Sequence, residues 1–247
     1  MFLQNFDICS LLNYSMGKDK LKRFNEMRHF KNVYQCFSYK DAKAIDSENN
    51  EVNLKGNWHS LHFKNQNPIV LELACGKGEY AVALARNFPE KNFIGIDIKG
   101  ARMHKGAKTA LEENLENVAF LRAKIELLQT FFAQNEVAEI WITFSDPFPK
   151  DKHEKHRLTS PGFLELYRKV ASPKTIVHLK HDSEDFFNYT VETVKNEGLK
   201  ILKEERNIYE NGTSESILTE VQTHYEKSHL SKGKKINYLQ FQLFPQK

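Results

Sequence analysis

Two short stretches of this 247-residue chain carry residue types that do chemistry at the ends of strands. The first is Glu72-Leu73-Ala74-Cys75-Gly76-Lys77-Gly78-Glu79. It overlaps the apolar run 68–74, which reads as a buried strand entering a glycine turn. Gly76 and Gly78 let a ligand approach the backbone, and a helix opening behind them presents free N–H groups. Gly76-Lys77-Gly78-Glu79-Tyr80-Ala81 fits the dinucleotide fingerprint G-x-G-x-x-G/A, a weak signal taken alone. Asp97 strengthens it, because it ends the next apolar run 19 residues after Gly78 (97 − 78). A carboxylate there accepts both ribose hydroxyls, of NAD or of S-adenosylmethionine. Glu72 separates the two, since its charge attracts a sulfonium or ammonium group and repels a pyrophosphate.

The second stretch is Phe144-Ser145-Asp146-Pro147-Phe148-Pro149-Lys150, continued by Asp151-Lys152-His153-Glu154-Lys155-His156-Arg157. It follows the apolar run 139–144, and ligands of open α/β sheets bind beyond the carboxyl ends of strands. Pro147 and Pro149 stiffen the loop and hold Asp146 and Phe148. Asp146 offers a carboxylate to the N–H edge of guanine, and Phe148 a face on which a base stacks. From Lys150 to Arg157 there are four fixed positive charges, two histidines and two acids. Charge alone would make this a solvated surface loop. Joined to Asp-Pro-Phe-Pro beyond a strand end, it is better explained by RNA contact. His59, His62, His104 and His178 stand singly without metal-ligand spacing, so no metal is expected. Phe131, Phe132, Phe186 and Phe187 read as core.

These residues need a scaffold, and hydrophobic periodicity supplies it. Strands are expected at 68–74, 92–97, 118–121, 139–144 and 175–180, with two final β segments near 199–209 and 236–244. Helices are expected at 79–88, 102–115, 126–134, 161–170 and 184–196. Such alternation predicts an α/β fold with a doubly wound, mostly parallel sheet. The expected division is an N-terminal extension and basic arm over 1–67 and a catalytic domain over 68–247. Between Lys18 and Lys43 stand eight Lys or Arg against three acids, which suits either a solvated arm or one that touches RNA. Residues 1–15 differ in character from the highly charged run that begins at Met16, and Met16 is the expected native start.

Bulk composition is compatible with this plan. A hydrophobic content of 40% fits a globular domain, and the net charge of +4 permits a polyanionic partner without demanding one. Three scattered cysteines, Cys9, Cys36 and Cys75, suggest neither a disulfide framework nor a zinc site. No apolar run approaches a membrane span, so a cytoplasmic protein is expected.

LELACGKGEY, IGIDIK, FSDPFPKDKHEKHRL, VHLKHD and THYE, in this order, resemble the bacterial tRNA (guanine-N7-)-methyltransferase family, over about Met16 to Phe244. The resemblance implies a seven-stranded class I methyltransferase fold using S-adenosylmethionine on tRNA. It implies that Glu72, Asp97 and Asp146 lie at the cofactor, joined by Gly76 and Gly78, with Asp146 the catalytic carboxylate. Lys150, Asp182 and the run Thr223, His224, Tyr225, Glu226 match the family's substrate-contacting positions. Lys152, His153, Glu154, Lys155, His156 and Arg157 match its RNA-contacting loop. The chain departs from the family at Phe148, where Trp is usual, at His181 for Thr, and at His224 for Glu. Arg122 occupies the position of an adenine-binding acid and is carried as a cofactor contact, with Ala123 and Lys124 as site residues beside it.

The implied target is a guanosine of the variable loop. Guanine N7 bears a lone pair and no proton, so the enzyme needs alignment and charge placement rather than a base. Asp146, with Glu226, is expected on N1–H and N2–H₂. Two other readings stand beside this one. An amino-group methyltransferase shares an Asp-Pro-Pro-aromatic motif, from which Phe148 departs by separating the prolines. A non-catalytic RNA-binding protein of the same fold would not need Glu72, Gly76, Gly78, Asp97 and Asp146 together.

Overall fold

Strands that are apolar along their whole length must be covered on both faces, which favours parallel pairing between layers of helix. In a computed structural model of the chain, residues 19–213 and 215–245 are described; the segment 1–15 and the expected start at Met16 lie outside them. The described chain opens in a helix that runs to residue 27 (α1). Ten strands come after it: β1 (Val33–Gln35), β2 (Ala44–Ile45), β3 (Glu51–Val52), β4 (Ile69–Leu73), β5 (Asn92–Ile96), β6 (Val118–Arg122), β7 (Val137–Thr143), β8 (Ala171–His181), β9 (Ile201–Glu205) and β10 (Asn237–Gln242). They form one sheet in the order β3-β2-β1-β6-β5-β4-β7-β8-β10-β9.

The seven strands β4 to β10 are the expected set. β1 to β3 come from the N-terminal extension and lengthen the sheet beyond it, β1 pairing in parallel with β6. Pairing is parallel from β1 to β8 through the centre and antiparallel where β10 lies between β8 and β9. Strand order reverses between β4 and β7, and the crevice outside that switch point is where such sheets bind ligands.

Alternation along the strands sorts the core into two layers. Leu71, Leu73, Ile94, Ile96, Ile140 and Ile142 face one layer, covered by α4 (Leu128–Phe131), α5 (Pro161–Arg168) and α6 (Glu184–Asn196). Val70, Phe93, Phe120 and Trp141 face the other, covered by α2 (Glu79–Asn87) and α3 (Gly100–Glu112). Pro161 starts α5 at its first turn, and the Ser183 hydroxyl accepts the Phe186 N–H at the start of α6. Phe131, Phe132, Phe186 and Phe187 are buried in the first layer.

Three regions differ from the sequence expectation. The helix expected over 126–134 is a 3-10 turn, Ile125–Leu127, leading into the single turn of α4. The aperiodic stretch after β3 contains a five-residue π-helix, His59–Phe63, preceded by Trp58. Trp58 is fully buried, donates from Nε1 to the Phe131 carbonyl at 2.9 Å and stacks on Phe132 at 5.4 Å. Between β9 and β10 lie two unexpected helices, α7 (Ile217–Glu220) and α8 (His224–Leu230). Among the described residues no helix is long and apolar enough to cross a membrane, and no group of three metal-ligating side chains converges.

Candidate active site

A cleft of about 970 Å³ opens at the carboxyl ends of β4, β5, β7 and β8. That is near the upper end of small-ligand sites, at about 300–1,000 Å³, and admits a nucleoside cofactor beside a second ring. The backbone turns sharply as it leaves the central strands. Ala74 after β4 and Phe144 after β7 hold φ of 56° and 49°, and Phe148 holds 43°. Left-handed conformations in residues with side chains cost energy and collect where surrounding structure enforces them.

The two glycines of the first turn do different work. Gly76, at φ 56°, lines the cleft, and a Cβ there would meet nothing closer than 4.0 Å. Gly78 does not line the cleft; at φ 67° its added Cβ would sit 2.4 Å from the Phe120 ring. Gly106, inside α3 and not singled out by sequence, completes the support. Its N–H donates to the Lys77 carbonyl at 2.8 Å, and a Cβ would come within 2.7 Å of the same oxygen. A glycine interrupting a helical pattern was the available signal.

Carboxylates tie this turn to its neighbours. Asp97, one residue beyond β5, accepts the Gly76 N–H at 2.9 Å and the Lys99 N–H at 2.7 Å. Glu72 is only 3% exposed; it accepts the Ala81 N–H and the Thr143 hydroxyl, both at 2.8 Å. Burial pushes its carboxyl up to about 8, outweighing those two hydrogen bonds. Asp146 is exposed at the cleft and accepts the Phe148 N–H at 3.1 Å, an Asx turn that orients the carboxylate. The neighbouring Ser145 hydroxyl is buried, lines the cleft and has no hydrogen-bond partner among the described residues. A cofactor with ribose hydroxyls, a cation and further polar atoms fits this set. Asp97 suits the ribose, Glu72 faces the same cleft as a carboxyl that a cation would ionise, and Ser145 Oγ offers an unused group.

The basic run after Asp146 folds as a 3-10 turn, Asp151–His156. Lys150, Lys152, Glu154 and Lys155 are exposed, His153 is half-buried, and of the run only His156 lines the cleft. Arg157 differs from the lysines: its guanidinium donates to the Phe148 carbonyl at 3.2 and 3.1 Å and packs 4.3 Å from the Tyr189 ring centre. Phe148 is half-buried beside His153 and His156.

Across the cleft, Asp182 is held by Lys234 at 2.6 Å and lies 3.3 Å from His229. His181 accepts the Ser183 N–H on Nδ1 at 2.8 Å, which leaves Nε2–H to donate to the Ser145 carbonyl at 2.8 Å. Burial lowers its pKa, in keeping with this neutral form. Thr223 and Tyr225 line the cleft, and the Thr223 hydroxyl caps α8 by accepting the Glu226 N–H. His224 is exposed outside the lining, its N–H donating to Glu79 at 2.8 Å. Glu226, expected at a base edge, is fully buried instead. It accepts from Lys180 Nζ at 2.6 Å and from the Tyr209 hydroxyl at 2.8 Å, and Lys180 also donates to the Leu218 and Val221 carbonyls. This buried pair fastens α7 and α8 to β8.

Arg122 also points away from the cleft. Its guanidinium lies 5.0 Å from the Phe24 ring centre and 5.5 Å from that of Phe37, while the next residues, Ala123 and Lys124, line the cleft. Lining residues that sequence reading passed over include Ile98, Lys99 and Arg102 after Asp97, and His229 and Lys234 beside Asp182.

Known proteins resemble this chain in sequence and in fold. A family model described as a putative methyltransferase matches residues 66–239. A tRNA (guanine-N(7)-)-methyltransferase of Christiangramia forsetii is 51% identical over 227 residues, covering 92% of this chain and 99% of the relative. One from Bacteroides fragilis is 46% identical over 231 residues, covering 94% and 88%. Among solved structures, the 16S rRNA methyltransferase KamB superposes with a TM-score of 0.59 at 15% identity, covering 79% of this chain and 97% of its own. That likeness concerns the fold, a class I methyltransferase sheet.

Proposed function

The chain belongs to the tRNA (guanine-N7-)-methyltransferase family, and we propose that it transfers the methyl group of S-adenosylmethionine to N7 of a guanosine in the variable loop of tRNA. The observation that carries this reading is the convergence of Glu72, Asp97 and Asp146 on one cleft at the switch point of the sheet. Residues 68–247 form the methyltransferase domain and 1–67 its extension, and the cytoplasm is the place of work.

When bound, S-adenosylmethionine supplies an electrophilic methyl group on a sulfonium. Asp97 would accept from the ribose hydroxyls, while its bonds to Gly76 and Lys99 keep the turn in place. Glu72 would release its proton to solvent and face the cationic end as a carboxylate. Asp146 holds the N–H edge of guanine and stabilises the positive charge that grows on the purine, with no proton to remove. His181 fixes the Ser145 carbonyl and so the start of the Asp146 loop. Glu226 acts through Lys180 as a positioning residue. Lys152 and Lys155 contact phosphates.

Replacing the target guanosine with 7-deazaguanosine tests the atom assignment. Methyl transfer should cease while tRNA affinity survives, because the N1–H, N2–H₂ and O6 edge is retained. Continued methylation at that nucleotide would move the reaction to another atom.

A further inference from the structure

We propose that Phe37 and Tyr39 form a stacking platform for unpaired bases of the tRNA, a second RNA-contacting surface at the rim of the cleft, built from the N-terminal extension and the end of β6. The proposal rests on the methyltransferase reading only for the identity of its RNA. Both rings project from the loop between β1 and β2 and are 55% and 56% exposed, which is unusual for side chains of this size. Hydrogen bonds hold the loop that carries them. Cys36 N–H donates to the Arg122 carbonyl at 2.9 Å, and Asp41 N–H donates to the Ser38 hydroxyl at 3.1 Å.

Each ring has a cation against it. Arg122 and Arg28 lie 5.5 and 5.8 Å from the Phe37 centre, and Lys124 Nζ lies 4.1 Å from that of Tyr39. Lys124 lines the cleft, so Tyr39 stands at its rim. The acid of the loop, Asp41, is 3.8 Å from Lys43, which also pairs with Glu51, whereas Arg28, Lys40, Arg122 and Lys124 have no ion pair among the described residues. Exposed aromatic faces interleaved with uncompensated cations match single-stranded nucleic acid, whose bases stack while its phosphates meet the charge. This arrangement also accounts for Arg122, which supports Phe37 instead of reaching the cleft.

The test measures tRNA binding by the full chain across a salt series, for Phe37→Ala, Tyr39→Ala and the double variant. Each single change should raise Kd about five- to tenfold, the scale of one lost base stack. The log–log salt slope should stay unchanged, because no charge has been removed. Phe37→Tyr and Tyr39→Phe, which keep the rings, should bind as the parent does. Affinity for S-adenosylmethionine by calorimetry, and melting temperature, should not move. A double variant within twofold of the parent would overturn the platform; if it also shifted from dimer to monomer in sedimentation, the patch would be a contact between copies. Nucleoside analysis of tRNA treated with the parent enzyme reads the function separately. Loss of affinity in the variants without 7-methylguanosine in the parent reaction would keep the platform and remove the N7 reading.

Discussion

Burial favours the protonated form of the Glu72 carboxyl near neutral pH, whereas a cation in the cleft would favour the charged form, and this couples cofactor binding to pH. Its value of about 8 lies one unit above neutrality, so at pH 7 the protonated form dominates by about ten to one. Ionising it at pH 7 costs about 1.4 kcal/mol, and each further unit of acidity adds the same amount. Affinity for S-adenosylmethionine should therefore weaken about fivefold from pH 8 to 7 and about tenfold again to pH 6, levelling off above about pH 9. Titration calorimetry in buffers of different ionisation enthalpy should find about 0.9 proton released per ligand at pH 7. Glu72→Gln should bind more weakly at high pH and lose this part of the pH dependence. The ligand's own amino group titrates equally against both proteins, so the difference between them isolates Glu72. Stability without ligand has a defined sign as well. The folded pKa is raised, so the stabilising contribution is complete below the unfolded value of about 4.5 and is lost as pH rises toward 8. The melting temperature of the parent should fall relative to Glu72→Gln over that window. Identical pH profiles of binding for the two proteins would refute the reasoning.

Asp146→Ala should abolish methyl transfer in single-turnover assays while leaving S-adenosylmethionine affinity within about tenfold by calorimetry, the scale of one charged hydrogen bond. Lys152→Ala with Lys155→Ala should weaken tRNA binding and reduce the log–log salt slope by about 0.7–0.9 per contact; an unchanged slope returns those lysines to solvent. Glu226→Ala strands the buried Lys180 ammonium and should cost about 3–5 kcal/mol in denaturant unfolding; adding Lys180→Met removes the stranded charge and should recover only part of it, because the Leu218 and Val221 carbonyls lose their donor. A double variant as stable as the parent would mean that the pair is not what holds α7 and α8. Both glycines hold a left-handed φ, so either change to Ala should cost about 1 kcal/mol of backbone strain, and Gly78→Ala should lose about 1–3 kcal/mol more through its clash with Phe120, while Gly76→Ala should also weaken cofactor affinity; equal melting temperatures for the two would contradict the division.

The amino-acid pattern by itself determines the succession of strands β4 to β10 and of the helices as far as α6, because short fully apolar runs and amphipathic helices are local properties of the chain; the short α7 and α8 escape it. It also determines where the chemistry gathers: Glu72, Asp97 and Asp146 sit at the ends of predicted strands, and a parallel sheet brings such ends to one edge. Tertiary structure decides what each side chain does once there. Gly76 and Gly78 are alike in sequence, yet the Phe120 ring makes one of them a packing requirement. Arg157 ends a basic run, but the Phe148 carbonyl claims its guanidinium, and Glu226 ends a motif facing the cleft while Lys180 draws it into the core. Residues 33–63 carry no period that a strand or helix requires, since their strands are two or three residues long and their order comes from β6 and from Trp58 on Phe132. Partners of this kind are distant in sequence, and only the folded chain brings a donor to its acceptor or a ring to its cation.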